Sequence, residues 1–192
     1  MLGIASVVVI IALAHGNTRA SASSSSLVAH VTAAGVAGYI NPLAGEQWGL
    51  GRTDQGVDYL PDVPEPVRAI GNGVVVFSST TTRWPGGAFI SYQLTDGPKA
   101  GNVIYVAEHL TGLAPVGAFV KAGATIASAW PGYPSTEWGW AACSGDLPAV
   151  PYDGAPDGTP MAGGLAFARF MGELGAGTEM NPGPGPDAVM SC

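Results

Sequence analysis

The stretch GRTDQGVDY, residues 51–59, places Arg52 ahead of two carboxylates four residues apart, Asp54 and Asp58, with Gly56 between them. Carboxylates crowded in this way can bind a hard cation through oxygen, or divide the roles of acid and base between them. Their possible helpers are few. Histidine occurs three times in 192 residues, at positions 15, 30 and 109, and His30 has no acidic or cysteine neighbour along the chain. Cysteine occurs only at 143 and 192, without a C-x-x-C or other metal spacing. Imidazole and thiolate are too scarce for a nitrogen- or sulfur-rich metal centre.

The elements that must hold these residues read as short strands from 41 to 142. PVRAIGNGVVVF (66–77) carries β-branched residues on both sides of an Asn-Gly pair and predicts a hairpin. GAFISYQL (87–94) alternates as a half-buried strand. After the turn cluster TDGPKAGN, VIYVAEHL (103–110) is a further strand, on which Glu108 would face away from His109 and serve the structure only. VGAFVKAGATIASA (116–129) predicts a second hairpin about Lys121–Gly123, and STEWGWA (135–141) a closing strand. The fold class is therefore all-β, an antiparallel sandwich or barrel-like arrangement, with one helix at about 163–174. In that helix Phe167, Phe170, Met171 and Leu174 form a single apolar stripe, which reads as core contact. Residues 143–192 are otherwise a loop-rich extension.

Apolar residues make up 47% of the chain and charged ones 11%, which excludes general disorder. The formal charge is −7 with no basic run, so nucleic acid is excluded as a partner. Residues 1–22 read as a signal peptide: residues 2–14 are apolar but too short to span a membrane, and ASA at 20–22 offers a cleavage site. Its removal takes His15 and Arg19, leaving six basic residues against fourteen acidic, a charge of −8, and no stable membrane span. Residues 23–40 follow as a Ser/Ala-rich linker. The expected location is secreted or associated with the cell envelope. There the two cysteines can form a disulfide tying the tail to the body, or remain unpaired thiols.

Five phrases, DQGVDY, PVRAIGNGVVVF, VIYVAEHL, VGAFVKAGATIA and STEWGW, occur in the order found in the lysostaphin-type zinc endopeptidases of peptidoglycan. Over roughly residues 45–142 the chain resembles that family, which implies the duplicated hybrid motif and peptidoglycan or another wall polymer as partner. In the family a His and an Asp four residues later, with the second His of a His-x-His pair, hold zinc. The first His of the pair and another on the preceding strand assist the attacking water. Carried over, the resemblance implies Asp58 as the one retained ligand and His109 as the assisting strand histidine. Asp54 replaces the first zinc histidine, Glu137 takes the other assisting position, and Gly139 replaces the last ligand. The resemblance is thus to a divergent member with a degenerate zinc site, for which zinc itself is doubtful.

Three readings follow. The preferred one is a non-catalytic protein that keeps the groove and binds a wall polymer. The alternative is an active hydrolase, peptidase or glycosidase, rebuilt on Asp54, Asp58, Glu137 and His109, with an oxygen-liganded divalent ion or none. In the third, Asp54 and Asp58 cap turns and Glu137 pairs with Arg52. Trp84 and Trp138, with Arg52, are the expected substrate-binding residues, because an indole face buries much area against a sugar ring or peptide. Trp140 reads as core.

Overall fold

The structure, a computed structural model, describes residues 36–133, 135–150, 154–179 and 192. The expected signal peptide, the linker as far as residue 35, and His30 lie outside the described residues. The strands are β1 (Trp48–Thr53), β2 (Val57–Pro61), β3 (Glu65–Arg68), β4 (Gly73–Ser79), β5 (Phe89–Leu94), β6 (Val103–Ala107), β7 (Leu110–Thr111), β8 (Phe119–Val120), β9 (Thr125–Ala129) and β10 (Thr136–Ala141). One helix, α1, spans Ala162–Glu173. Seven strands form an antiparallel sheet in the order β1-β2-β10-β6-β5-β4-β8, and three form a second sheet, β3-β9-β7. The fold is all-β with a C-terminal helix. Among the described residues the large sheet is open, with β1 and β8 at its two ends.

Both faces of the large sheet are covered at its centre. Ile90, Tyr92, Ile104 and Val106 point into the main core, which also holds Val67, Ile126 and Ala127 of the small sheet and the helix stripe. The alternating residues Phe89, Val103, Tyr105 and Ala107 form a second cluster with Phe77 and Trp84 packed against it. Phe89 and Tyr105 stack at 5.1 Å, and Trp84 meets both rings edge-on. The expectation that β5 is half-buried is therefore corrected. Its polar side is sealed too, with the Ser91 hydroxyl donating to the Gly145 carbonyl at 2.6 Å.

Neither predicted hairpin forms. β3 pairs with β9, whereas β4 pairs with β5 and β8, so the Asn72-Gly73 turn carries the chain from one sheet to the other. The Lys121–Gly123 turn does the same between β8 and β9. Asn72 joins the two crossings: its amide donates to Asp96 at 2.6 Å and its carbonyl oxygen accepts the Ala122 N–H at 3.1 Å. β10, expected to close the sheet, instead lies inside it between β2 and β6. Tyr39, at the end of the stretch read as linker, belongs to the packed body. It lies edge-on to Phe170 at 5.6 Å and donates to the Asp96 carbonyl at 2.8 Å.

The helix stripe is buried as its spacing predicts, with Phe167 and Phe170 against Trp140 at 5.2 and 5.0 Å. At its start the Met161 N–H donates to the Asp54 carbonyl at 2.9 Å. Gly164 then passes so close that an added Cβ would lie 2.1 Å from that same oxygen. Only glycine lets the helix press on the β1–β2 turn. Cys143 is joined to Cys192, with Cα atoms 5.4 Å apart, the first of the two states left open by the sequence. Among the described residues no helix is long and apolar enough to cross a membrane.

Gly164→Ala is expected to lower stability by about 1–3 kcal/mol in urea unfolding, the usual range for an overpacked contact. Gly172→Ala, where an added Cβ meets nothing within 4 Å, serves as the control and is expected to be neutral or stabilising.

Candidate functional site

Strand register decides which residues can meet. Asp58 lies opposite Glu137, and Glu137 opposite Ala107; one step along, Val57 lies opposite Trp138, and Trp138 opposite Val106. Because side chains alternate between faces, the Asp58–Glu137 row and the Val57–Trp138 row point to opposite sides of the sheet. Trp138 goes into the main core, 0% exposed and edge-on to Trp48. It offers no face to a ligand, which corrects its expected binding role. Trp140 is core, as read from the sequence.

Arg52 reaches the row from β1, where the pairing with β2 shifts between Leu50 and Thr53. Such a bulge re-aims a side chain. Its Nε lies 3.0 Å from Asp54 Oδ2 and 3.0 Å from Asp58 Oδ2, and its Nη1 lies 2.8 Å from Asp157 Oδ2. Arg52 thus pairs with three aspartates, not with Glu137 as the turn-capping reading had it. That reading holds for Asp54 alone, which accepts the Gln55 N–H at 2.7 Å. Glu137 Oε1 accepts the Tyr105 hydroxyl instead.

Beside this network lies a cleft of about 270 Å³, walled by Trp84, Pro85 and the loop from Pro156 to Met161, with Arg52, Asp54, Glu108 and Glu137 among its lining. Trp84 therefore stands where it was expected, on the cleft. His109 does not. The chain leaves β6 through two successive left-handed residues, Glu108 at φ 72° and His109 at φ 45°. These turns send Glu108 into the cleft and leave the His109 ring against Gly132. The expected roles are exchanged, since strand alternation ends at Ala107. Non-glycine residues held in this region cost roughly 1–3 kcal/mol each and tend to cluster at functional sites.

Burial and like charge shape the electrostatics. Burial pushes the Asp58 carboxyl up to about 6; the Asp54 charge adds to this, while Arg52 and Ser135 oppose it. Burial pushes Glu108 up to about 8, with the Asp58 charge adding and the Trp84 indole easing it. Glu137 is held well above the ordinary range by burial and by the Asp54 and Asp58 charges, against the Tyr105 hydrogen bond. For Arg52 burial works to weaken the charge, but Asp157, Asp54 and Asp58 more than offset it and the guanidinium is held more firmly protonated than usual.

The residues present do not fit a metal ion. The point shared by Asp54 and Asp58 is filled by a guanidinium nitrogen. At Gly139 an added Cβ would lie 2.6 Å from the Tyr105 ring, so a phenol fills the space through which a third ligand side chain would reach. Among the described residues, no three His, Cys, Asp or Glu side chains gather as an ion would require. This argues against zinc and against an oxygen-liganded divalent ion alike. Glu108, Tyr105 and Asp157 are the functional residues missed from the sequence. Only Asp157 carried a signal, the Asp-Gly turn pair of APDGTPM.

The sequence matches no protein-family model and no curated protein. Among solved structures the chain is similar to the antimicrobial peptidase lysostaphin from Staphylococcus simulans, at a TM-score of 0.50 and 20% identity, over 81% of this chain and 62% of that one. It is also similar to the solution structure of lysostaphin, at a TM-score of 0.48 and 21% identity, over 79% and 61% of the two chains. For the crystallised catalytic domain of the Staphylococcus simulans enzyme the TM-score is 0.41, at 25% identity, over 51% and 81%. The chain thus spans about three-fifths of the length of the first two. The first of these likenesses, at a TM-score of 0.50, concerns the fold alone and fits the all-β architecture.

The raised carboxyls set a pH dependence. Folded Glu108 and Asp58 keep protons that the unfolded chain, at its ordinary values of 4.5 and 3.8, has released, up to about 8 and about 6. The unfolded state binds fewer protons in that window, so stability falls as pH rises through it. The melting temperature is expected to drop by several degrees between pH 5 and pH 8, roughly 2–4 °C per kcal/mol. Glu108→Gln is expected to flatten the portion above pH 6; an unchanged profile would contradict the assignment.

Proposed function

We propose that this chain is an exported, envelope-facing protein that binds peptidoglycan or another wall polymer in the Arg52–Trp84 cleft, without zinc peptidase chemistry. One observation carries this reading: Arg52 Nε lies 3.0 Å from both Asp54 and Asp58, so an organic cation belonging to the chain fills the seat that the family resemblance would reserve for the metal. The cleft beside it remains open and is bounded by Trp84, an aromatic wall of the kind that packs on sugar rings and peptides. The leader-like residues 1–22 support export, and the likeness of fold to an antimicrobial peptidase supports an envelope target.

A second reading, hydrolysis by carboxyl groups alone, is favoured by Glu108. It is a buried acid lining the same cleft as Asp54 and protonated at neutral pH, as a general acid must be. His109, turned toward Gly132, has no part in it.

Purified protein is expected to sediment with insoluble wall material, and Trp84→Ala to reduce the bound fraction about tenfold, near 1.4 kcal/mol. A metal chelator should leave binding unchanged. Wall digestion in a zymogram that disappears with Glu108→Gln would transfer support to the second reading. Zinc recovered at one ion per chain would overturn the first.

A further inference from the structure

The cleft is small for what it is read to hold. Its volume of about 270 Å³ lies below the range of about 300–1,000 Å³ typical of ligand sites. A polymer unit has to widen it, and the walls differ in how far they can give. Trp84 is wedged edge-on against Phe89 and Tyr105, at 5.6 and 5.9 Å. Its loop is braced on itself: the Thr82 N–H donates to the Gly87 carbonyl at 2.7 Å, and the Gly87 N–H to the Trp84 carbonyl at 2.8 Å. Glu137 stands on β10, inside the large sheet, and Arg52 is held by two buried aspartates. Moving any of these would disturb the packed body.

The wall formed by residues 154–160 is different. None of them is buried, and they form no helix or strand. Gly154 and Gly158 hold left-handed φ angles of 84° and 76°. At Gly154 an added Cβ would meet nothing within 4 Å, and at Gly158 it would meet Arg52 Cδ at 3.7 Å. These glycines serve the turn of the chain and not a close fit, in contrast to Gly164. The downstream end is fixed, because Met161 is buried and its N–H meets the Asp54 carbonyl at 2.9 Å. The middle is tied to the body by the 2.8 Å pair of Asp157 with Arg52, in which the Asp157 side chain is 73% exposed. An exposed pair of this kind holds weakly and is screened by salt.

We propose that residues 154–160 form a strap that opens and closes the cleft, with the Asp157–Arg52 pair as its latch and Met161 as its fixed end. This goes beyond the wall-polymer reading, because the opening belongs to the free chain whatever enters. A segment with few buried contacts opens at low cost, and loops of this kind commonly gate a site. Release of the latch does not dismantle the cluster, since Arg52 keeps Asp54 and Asp58 when Asp157 leaves.

Spin labels on the full chain, at Thr159→Cys in the strap and Arg83→Cys beside Trp84, both exposed positions, report the opening as a distance. A second pair, Arg83→Cys with Glu173→Cys at the end of α1, serves as the reference. Adding Asp157→Asn is expected to raise the ratio of long to short strap distances about two- to fivefold, the range for loss of an exposed ion pair, with the reference pair unchanged. Salt at about 1 M is expected to do the same while Asp157 is present and nothing further in Asp157→Asn. A strap distance that ignores both the substitution and salt would overturn the proposal. Equal broadening of the reference pair would also overturn it, since the whole body would then be loosening. Soluble peptidoglycan fragments provide a second arm and are expected to associate about two- to fivefold faster with Asp157→Asn. Equal rates would remove the strap from control of entry. If the distances respond as expected but neither protein binds a fragment, the strap stands and the wall-polymer reading falls.

Discussion

The guanidinium of Arg52 is the constraint on which the site depends. Asp58 is almost fully buried and Asp54 nearly so, and two carboxylates cannot both stay ionised in such a place without a positive charge between them. Removing an ion from water costs several kcal/mol even after relaxation. At an effective dielectric constant near 20, a pair at about 4 Å recovers about 4 kcal/mol. The two terms nearly cancel, so the cluster contributes little net stability. Its importance is geometric: loss of the arginine would leave two buried acids uncompensated, which is worse than never having formed the pair.

That geometry is assembled from several backbone details. The shifted pairing in β1 brings Arg52 over the β2 row. The register of β2 with β10 sets Asp58 beside Glu137. Gly164 lets the helix start press on the Asp54 carbonyl, and the left-handed exit from β6 delivers Glu108. Where a metal enzyme would converge imidazoles on an ion, this chain converges a guanidinium, a phenol and five acids. The cation is covalently part of the chain and cannot act as a Lewis acid toward a ligand, but its planar, permanently charged group orders the carboxylates around it.

Much of the fold was legible in the residues because β-branched and aromatic runs separated by Gly-rich turns carry a strong local signal. The helix was legible for a similar reason, its stripe of Phe167, Phe170, Met171 and Leu174. Strand partners were not. Asn72-Gly73 has the composition of a hairpin turn, yet it links two sheets, and only tertiary pairing can decide between those outcomes. In the site, Asp54, Asp58 and Glu137 follow from family positions, Arg52 from its place ahead of the two aspartates and Trp84 from aromatic placement, and the structure brings these five to one network or its adjoining cleft. Trp138 was misplaced even though alternation with Glu137 within β10 already argued against it. The exchange of Glu108 and His109 had no signal at all. Neither residue is glycine or asparagine, the usual markers of a left-handed turn.

The bond between Cys143 and Cys192 has a consequence for how the molecule withstands damage. The two residues are 49 positions apart, and the segment they close contains both the Pro156–Met161 wall and α1. While the disulfide is intact, a protease that cuts once inside that ring separates no fragment. The severed ends stay tethered, so the helix can reseat and the wall can return to its position.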